Sequence, residues 1–420
     1  MVDHVKPDLR HLATEVVQKL QSSGFEAYFA GGSVRDQLMG TTPEDYDIAT
    51  SARPDQIMGL FPRSVHVGEA FGVVMVRQQG RSLEVATFRS DGIYSDGRRP
   101  DSVTYTTAEH DAQRRDFTCN GLFFDPIVNR LIDYVGGQAD IHAKILRAIG
   151  DPAHRFREDH LRMMRAIRFA ARLRFTIEPA TWMAICANAD KLSEISRERI
   201  GQELRKILKD PSRVTAVTLL IESGLFRSFW PACATVAANK SIRFPRLAAL
   251  PKSSSFSQAL AALVLDMAEP QKNTSVPAAA LATIEGLQCD IVLSTEEAES
   301  IKWILTNLPV LGNWRNMRLA AFKRMLDHAW SDDLLRIYAA EHQHDGQYPP
   351  LAAYIAELQK AGPLTPDRFV NGGDLIAMGV LPGPRFKLWL EELYDRQLEN
   401  DFPDRPSALL AAKQLIQRPS

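Results

Sequence analysis

Asp45 and Asp47 flank Tyr46 in a stretch where acidic and apolar residues alternate. That alternation predicts a half-buried strand over 45–50. In a strand, residues two apart point to the same side, so the two carboxylates would be presented together. Like charges a few ångströms apart repel, at a cost, unless a cation bridges them. Oxygen-only ligands with room for water suit Mg²⁺. A pair of such ions about 3.5–4 Å apart can stabilise both the attacking and the leaving oxygen of a phosphoryl displacement. Asp45 and Asp47 are thus candidate catalytic and metal-binding residues, with Mg²⁺ as the cofactor. Glu84, in the β-branched run 83–88, reads equally as a third carboxylate or as an outward-facing structural residue.

Gly31-Gly32-Ser33 precedes this pair, and Arg35 lies ten residues before Asp45. The apolar run 27–30 predicts a strand entering a tight loop at the glycines. Ser33 is placed to N-cap a helix that runs to Leu38 and stops at Gly40. Glycine has no Cβ at the point of closest approach, and the free N–H groups of a helix start favour phosphate. Arg35 could reach the same anion. Either element alone is an ordinary turn; both in this order point to nucleotide chemistry. Arg114-Arg115-Asp116 adds two guanidinium forks that fit phosphate or a ribose-facing network. Alone, that trio reads as a surface ion-pair cluster.

The stretch 155–172 predicts an amphipathic helix. Met163, Met164, Ile167, Ala170 and Ala171 share one face, while Arg162, Arg165, Arg168 and Arg172 fall in another arc. Four arginines with almost no interleaved acid repel one another and suit an anion such as a triphosphate. Asp159 stands next to Arg162 at i,i+3. Ionised Asp only accepts hydrogen bonds and Arg only donates. The pairing edges of adenine and cytosine match such a pair; those of guanine and uracil leave polar groups unpaired, which can reject a substrate strongly. The pair could therefore accept ATP and CTP and exclude GTP and UTP.

The elements that must position these groups divide at 150–152. The chain has 420 residues, a prior of about three domains. Before Gly150-Asp151-Pro152, strands alternate with helices, which predicts an α+β or α/β head. Beyond it, helical periodicity runs to the C-terminus. Breaks are expected near Pro211, 251–256, 270–277, 346–350 and 362–366. The hydrophobic share of 45% and charged share of 24% exclude a disordered chain. Four scattered cysteines without a C-x-x-C pair argue against a zinc or disulfide framework. A net charge of -1 argues mildly against nucleic acid, but local clusters weigh more. No apolar run approaches the ~20 residues of a membrane span, and the start resembles neither signal nor transit peptide. A cytoplasmic protein with no membrane association is expected.

Taken together, the sequence resembles the class II tRNA nucleotidyltransferases, the CCA-adding enzymes, and the bacterial poly(A) polymerases that share their head. The resemblance covers about residues 25–230. It rests on 31–36, 45–50, Glu84–Arg89, Asp91-Gly92, Arg98-Arg99-Pro100, Arg114–Asn120, Glu158-Asp159-x-x-Arg162 and 195–200. A weaker likeness covers Asn371–Leu375 with Pro382-Gly383-Pro384. The fold implied is α+β, with a polymerase-β-like nucleotidyltransferase head (1–150). An all-α neck (151–215), body (216–345) and tail (346–420) would follow it. Asp45 and Asp47 are implied as metal ligands and Gly32, Arg35 and Arg115 as nucleotide contacts. Asp159 and Arg162 would be the amino-acid template, with Arg165 and Arg168 holding the phosphates or the nucleotide. The polar loop 92–100 resembles the mobile loop needed for final A addition. The implied activity is CCA addition to tRNA from CTP and ATP, with no obligatory protein partner. The rivals are a poly(A) polymerase, a CC- or A-adding enzyme, and a catalytically silent RNA-binding protein. Gly121 departs from the usual alanine. The run 341–345, which hints at a phosphohydrolase site, reads as a polar interhelix loop.

Overall fold

The computed structural model describes residues 8–67, 72–92, 103–231, 243–268 and 275–417. The loop expected at 92–100 therefore lies, but for Gly92, outside the described residues. The chain divides into two compact units, Met1–Ala238 and Asn239–Ser420.

The first unit opens with α1 (Leu9–Ser22), capped by the Asp8 carboxylate, which accepts from the Arg10 amide at 3.2 Å. Its buried stripe is Leu12, Ala13, Val16, Val17 and Leu20, the helical spacing of a helix packed on one face. β1 (Ala27–Ala30) leads into α2 (Gly32–Leu38), and β2 (Asp47–Thr50) into α3 (Pro54–Leu60). β3 (Ser64–His66), β4 (Val73–Gln78) and β5 (Arg81–Thr87) follow. β6 (Arg89–Asp91) pairs with β7 (Val103–Tyr105) as a separate ribbon. After α4 (Ala108–Gln113) come β8 (Phe123–Asp125) and β9 (Arg130–Ile132), then α5 (Gly137–Ala143). The main sheet has the order β3-β4-β5-β2-β1-β8-β9. β2 and β5 run parallel with Ile48 beside Val85, which sets Glu84 alongside Asp47. One face carries Phe29, Ile48 and Val85 and is covered by α1. Ala30, Asp47, Ala49, Glu84 and Ala86 project from the other.

Two expected boundaries shift. The strand begins at Asp47, so Asp45 lies in the approach to it rather than inside it. α2 begins at Gly32, not after Ser33. Gly31 takes φ 68° as N-cap, which turns the chain from β1 directly into the helix. Ser33 is already helical there, and its hydroxyl donates to the Ala30 carbonyl at 3.1 Å. β8 and β9, three residues each, were too short to show as a periodic signal.

Beyond β10 (Ile145–Leu146) the described chain is helical, apart from β11 (Thr176–Ile177), which pairs with β10. The expected α+β head followed by helices is what the structure has. The stretch 155–172 is two helices, α6 (Pro152–Glu158) and α7 (Leu161–Leu173). Asp159 is extended between them at φ -153°, ψ 103°. α8 (Pro179–Ala187), α9 (Arg197–Lys209) and α10 (Arg213–Glu222) complete the surroundings of the site, with the expected break at Pro211.

In the second unit Phe256–Met267 is buried on nearly every side, as its apolar sequence requires. Asn371 and Asp374 cap helix Gly372–Ala377 reciprocally, and Leu375 joins a core with Leu393, Phe402 and Ala412. His342 pairs with Asp345 at 2.6 Å in the turn between helices Ser331–Glu341 and Tyr348–Ala361, the interhelix loop expected there.

Glycine is required at 137, the first residue of α5. A Cβ there would lie 2.1 Å from the Thr118 carbonyl oxygen. Gly137→Ala is expected to cost about 1–3 kcal/mol through overpacking against backbone. Gly59→Ala in α3, where nothing lies within 4 Å, is expected to be neutral or to gain up to ~1 kcal/mol. Thermal unfolding of both variants checks the contrast.

Candidate active site

The sheet face that carries Asp47 and Glu84 floors a cleft of about 810 Å³. Asp45, Asp47 and Glu84 stand on its acidic side, and eight arginines line it. Such a wall suits a polyanion, because guanidinium forks pair phosphate oxygens two at a time. Asp47 opens into the cleft, yet it is crowded. The surrounding protein mass first, then Glu84 and Asp45, push its carboxyl up to about 6, while Arg115 pulls it back. Among the described residues, no three His, Cys, Asp or Glu side chains stand close enough to hold a metal ion alone. That donor set fits Mg²⁺, which usually takes one or two carboxylates and completes its shell with water and substrate phosphate.

The glycine loop brings backbone close to the arginines. A Cβ at Gly31 would meet the Arg115 Nη1 at 3.2 Å, and one at Gly32 would meet the Arg35 Nη2 at 3.5 Å. Arg35 is 4% exposed. It donates to Asp36 Oδ1 at 2.8 and 2.7 Å and to Asn120 Oδ1 at 2.6 Å. Arg165 donates to Asp116 Oδ2 at 3.0 and 2.7 Å. Burial opposes charge on Asp116, but Arg165, Arg162 and Asn120 hold its carboxyl below the usual carboxylate range. The Phe169 ring lies beneath Arg35, Arg165 and Arg168, at 5.6, 5.4 and 4.2 Å. These cation–π contacts fix three guanidiniums around one rigid plane.

Residues 27–147 match the poly(A) polymerase head domain, and 174–235 match the probable RNA and SrmB-binding site of polymerase A. A CCA-adding enzyme of Geobacillus thermodenitrificans is 46% identical over 222 residues, 53% of this chain and 54% of that one. One of Levilactobacillus brevis is 44% identical over 235 residues, 56% of this chain and 58% of that one. The chain is thus similar to the CCA-adding enzymes, and its head matches that of the poly(A) polymerases. It spans about half the length of the curated relatives it matches. The crystal structure of the Bacillus stearothermophilus CCA-adding enzyme in complex with CTP superposes with a TM-score of 0.79 at 28% identity, covering 98% of each chain.

The cleft brings together Asp45, Asp47, Gly32, Arg35, Arg115, Asp159, Arg162 and Arg165 of the residues singled out from sequence. Arg168 is not among the lining residues. Its Nε donates to Glu203 of α9 at 2.5 Å, and both are buried, so its charge is neutralised between α7 and α9. Asp159 and Arg162 do not share one helix. The extended backbone at Asp159 lets its Oδ1 accept the Leu161 amide at 3.0 Å, and its Oδ2 accepts from Arg199 at 2.7 Å. Arg162 donates to Glu158 and to the Arg155 carbonyl.

Sequence reasoning gave no role to Asp111, Arg199 or Glu203. Asp111 is 1% exposed. It accepts from Arg114 at 2.9 and 2.6 Å, from Arg115 at 3.1 and 3.0 Å, and from the Arg89 amide at 3.2 Å. Burial works against its charge, but Arg115 and Arg114 hold its carboxyl below the usual range. It thereby aims both arginines. The signal was its i,i+3 and i,i+4 spacing from them. Arg199 and Glu203 come from α9, and only the fold brings that helix to α7.

Two outcomes are expected. A folded-state pKa raised from 3.8 to about 6 means that native Asp47 binds more protons than unfolded Asp47 across that window. Stability therefore falls as pH rises through it. Metal-free Asp47→Asn should gain stability above pH ~6, by no more than about 1 kcal/mol after solvent screening, and nothing below pH ~3.5. Urea midpoints at the two pH values check this. Asp111→Asn leaves two half-buried guanidiniums short of their counter-charge. It should cost about 1–3 kcal/mol of stability, measured by the same unfolding.

Proposed function

We propose that this chain is a template-independent nucleotidyltransferase that adds C, C and A to the 3′ end of tRNA from CTP and ATP, releasing pyrophosphate. The observation that carries the reading is one cleft in which the crowded Asp45/Asp47 carboxylates face an arginine wall, with Asp159 and Arg162 beside them. The CCA-adding relatives support it, among them the one solved with CTP. A Thermotoga maritima CCA-adding enzyme complexed with tRNA shares the fold, with a TM-score of 0.64 at 20% identity.

In this reading Arg35, Arg115 and Arg165 bind the triphosphate, and the glycine loop lets it approach the backbone. The terminal RNA hydroxyl attacks the α-phosphate and pyrophosphate leaves. Asp45 and Asp47 would hold Mg²⁺, which when bound supplies nucleophile activation and stabilises the leaving oxygen. Asp159 accepts from the exocyclic amine of adenine or cytosine, while Arg162 donates to the neighbouring ring nitrogen. Arg199 and Glu158 keep the two side chains oriented before the base arrives. The neck (151–215), body (216–345) and tail (346–420) would hold the acceptor and TΨC arms by shape and phosphate contacts, as suits duplex RNA. Among the described residues no helix is long and apolar enough to cross a membrane, and the proposed location is the cytoplasm.

The test supplies tRNA truncated by one, two or three nucleotides with each labelled NTP in turn, and sizes the products. CCA addition stops after restoring the end; long A tracts from ATP alone would make the protein a poly(A) polymerase. Asp47→Ala should lower incorporation at least about 10³-fold, the several kcal/mol a metal supplies, while tRNA binding persists. Arg162→Ala should narrow the preference for CTP and ATP over GTP and UTP by at least about tenfold. Intact discrimination in that variant would remove the template role.

A further inference from the structure

A second cavity, of about 980 Å³, opens on the opposite side of Arg172, which lines both it and the catalytic cleft. Its floor is apolar: Ala170 and Ala171 of α7 and Phe175 are all buried. Trp182 of α8 forms one wall and is half-buried. Arg174 stands exposed at the rim. Neither side chain makes a hydrogen bond, ion pair or ring contact with the described residues. Trp182 thus offers an uncommitted indole and Arg174 an uncommitted cation. Arg172 is held only loosely, 3.8 Å from Asp210. Arg174 also takes a left-handed φ of 57° at the end of α7, a position that glycine fills without strain.

A flat aromatic surface beside an unpaired arginine, over an apolar floor, is the combination that binds a nucleobase together with its phosphate. The acidic rim, Asp210 and Glu222, disfavours a bare polyanion such as a second free triphosphate. It tolerates a single phosphodiester and offers acceptors to a base amine. We propose that this cavity is a subsite for one unpaired RNA nucleotide upstream of the growing 3′ end, its base stacked on Trp182 and its phosphate on Arg174. Two observations favour RNA over a protein partner. Arg172 lines both this cavity and the catalytic cleft, so the two adjoin. The lining from Arg174 onward also falls within the segment that matches a probable RNA-binding region. The inference rests on the proposed tRNA 3′-end reading and adds a location for the primer strand.

The test uses the full chain and a tRNA transcript ending in CC, extended with ATP. Trp182→Ala and Arg174→Glu are expected to raise KM for the RNA about tenfold, the scale of one lost base stack. KM for ATP should stay unchanged and kcat within about twofold. Trp182→Phe keeps a stacking face and should behave nearly as wild type. In parallel, a 4-thiouridine at unpaired positions near the 3′ end should crosslink to the peptide carrying Trp182. Unchanged RNA KM in both damaging variants overturns the proposal, as does a crosslink confined to other peptides. A Trp182→Phe defect equal to that of Trp182→Ala overturns the stacking. If wild type extends no tRNA, the functional reading has failed. Filter binding of the same transcript then tests the subsite by itself, with weaker binding by Trp182→Ala and Arg174→Glu expected and equal binding overturning it.

Discussion

Crowded carboxylates facing a wall of arginines are the constraint around which the head is arranged. Asp47 sits beside Glu84 because β2 and β5 pair in parallel, and Asp45 joins them from the approach to β2. Burial and mutual repulsion raise the Asp47 carboxyl to about 6. A fold would ordinarily avoid this, since it lowers stability at neutral pH. In the proposed function, a divalent ion bound with a polyphosphate would relieve that crowding.

The opposite wall faces the converse problem. Arginines crowded around one cleft repel one another, and several are fixed by an acid or a ring behind them. Asp111 holds Arg114 and Arg115, Asp116 holds Arg165, Asp36 and Asn120 hold Arg35, and the Phe169 ring underlies several of them. These acids are buried or half-buried, so their attraction is little screened by solvent. The guanidiniums are therefore held in place by the protein itself, so an anion entering the cleft meets donors already aimed. The same logic explains Gly31. Its positive φ turns β1 into α2, and its missing side chain leaves room for Arg115.

Arg168 and Asp159 mark where helical periodicity and tertiary pairing part. By spacing, Arg168 belongs with Arg162 and Arg165. Yet Glu203 captures it from α9, and a buried charge with a good partner has little reason to leave it. Asp159, read as one turn before Arg162 on a continuous helix, instead ends α6 and accepts the first amide of α7. Both departures come from groups distant in the chain or from local backbone competition, which a periodic template does not contain.

The sequence by itself determined the chemistry and most of the local frame. The Asp45/Asp47 pair, the glycine loop, the arginine-rich stretch and the change at 150–152 are all local patterns, set by side-chain type and spacing. Tertiary structure alone decided which charges stay in the cleft. Strand pairing brought Glu84 to Asp47, α9 brought Arg199 to Asp159 and Glu203 to Arg168, and a short turn brought Asn120 to Arg35. The physical reason is range. Turn, cap and helix preferences act within a few residues, whereas an ion pair or hydrogen bond between groups 35 or 85 residues apart exists only once the core has closed.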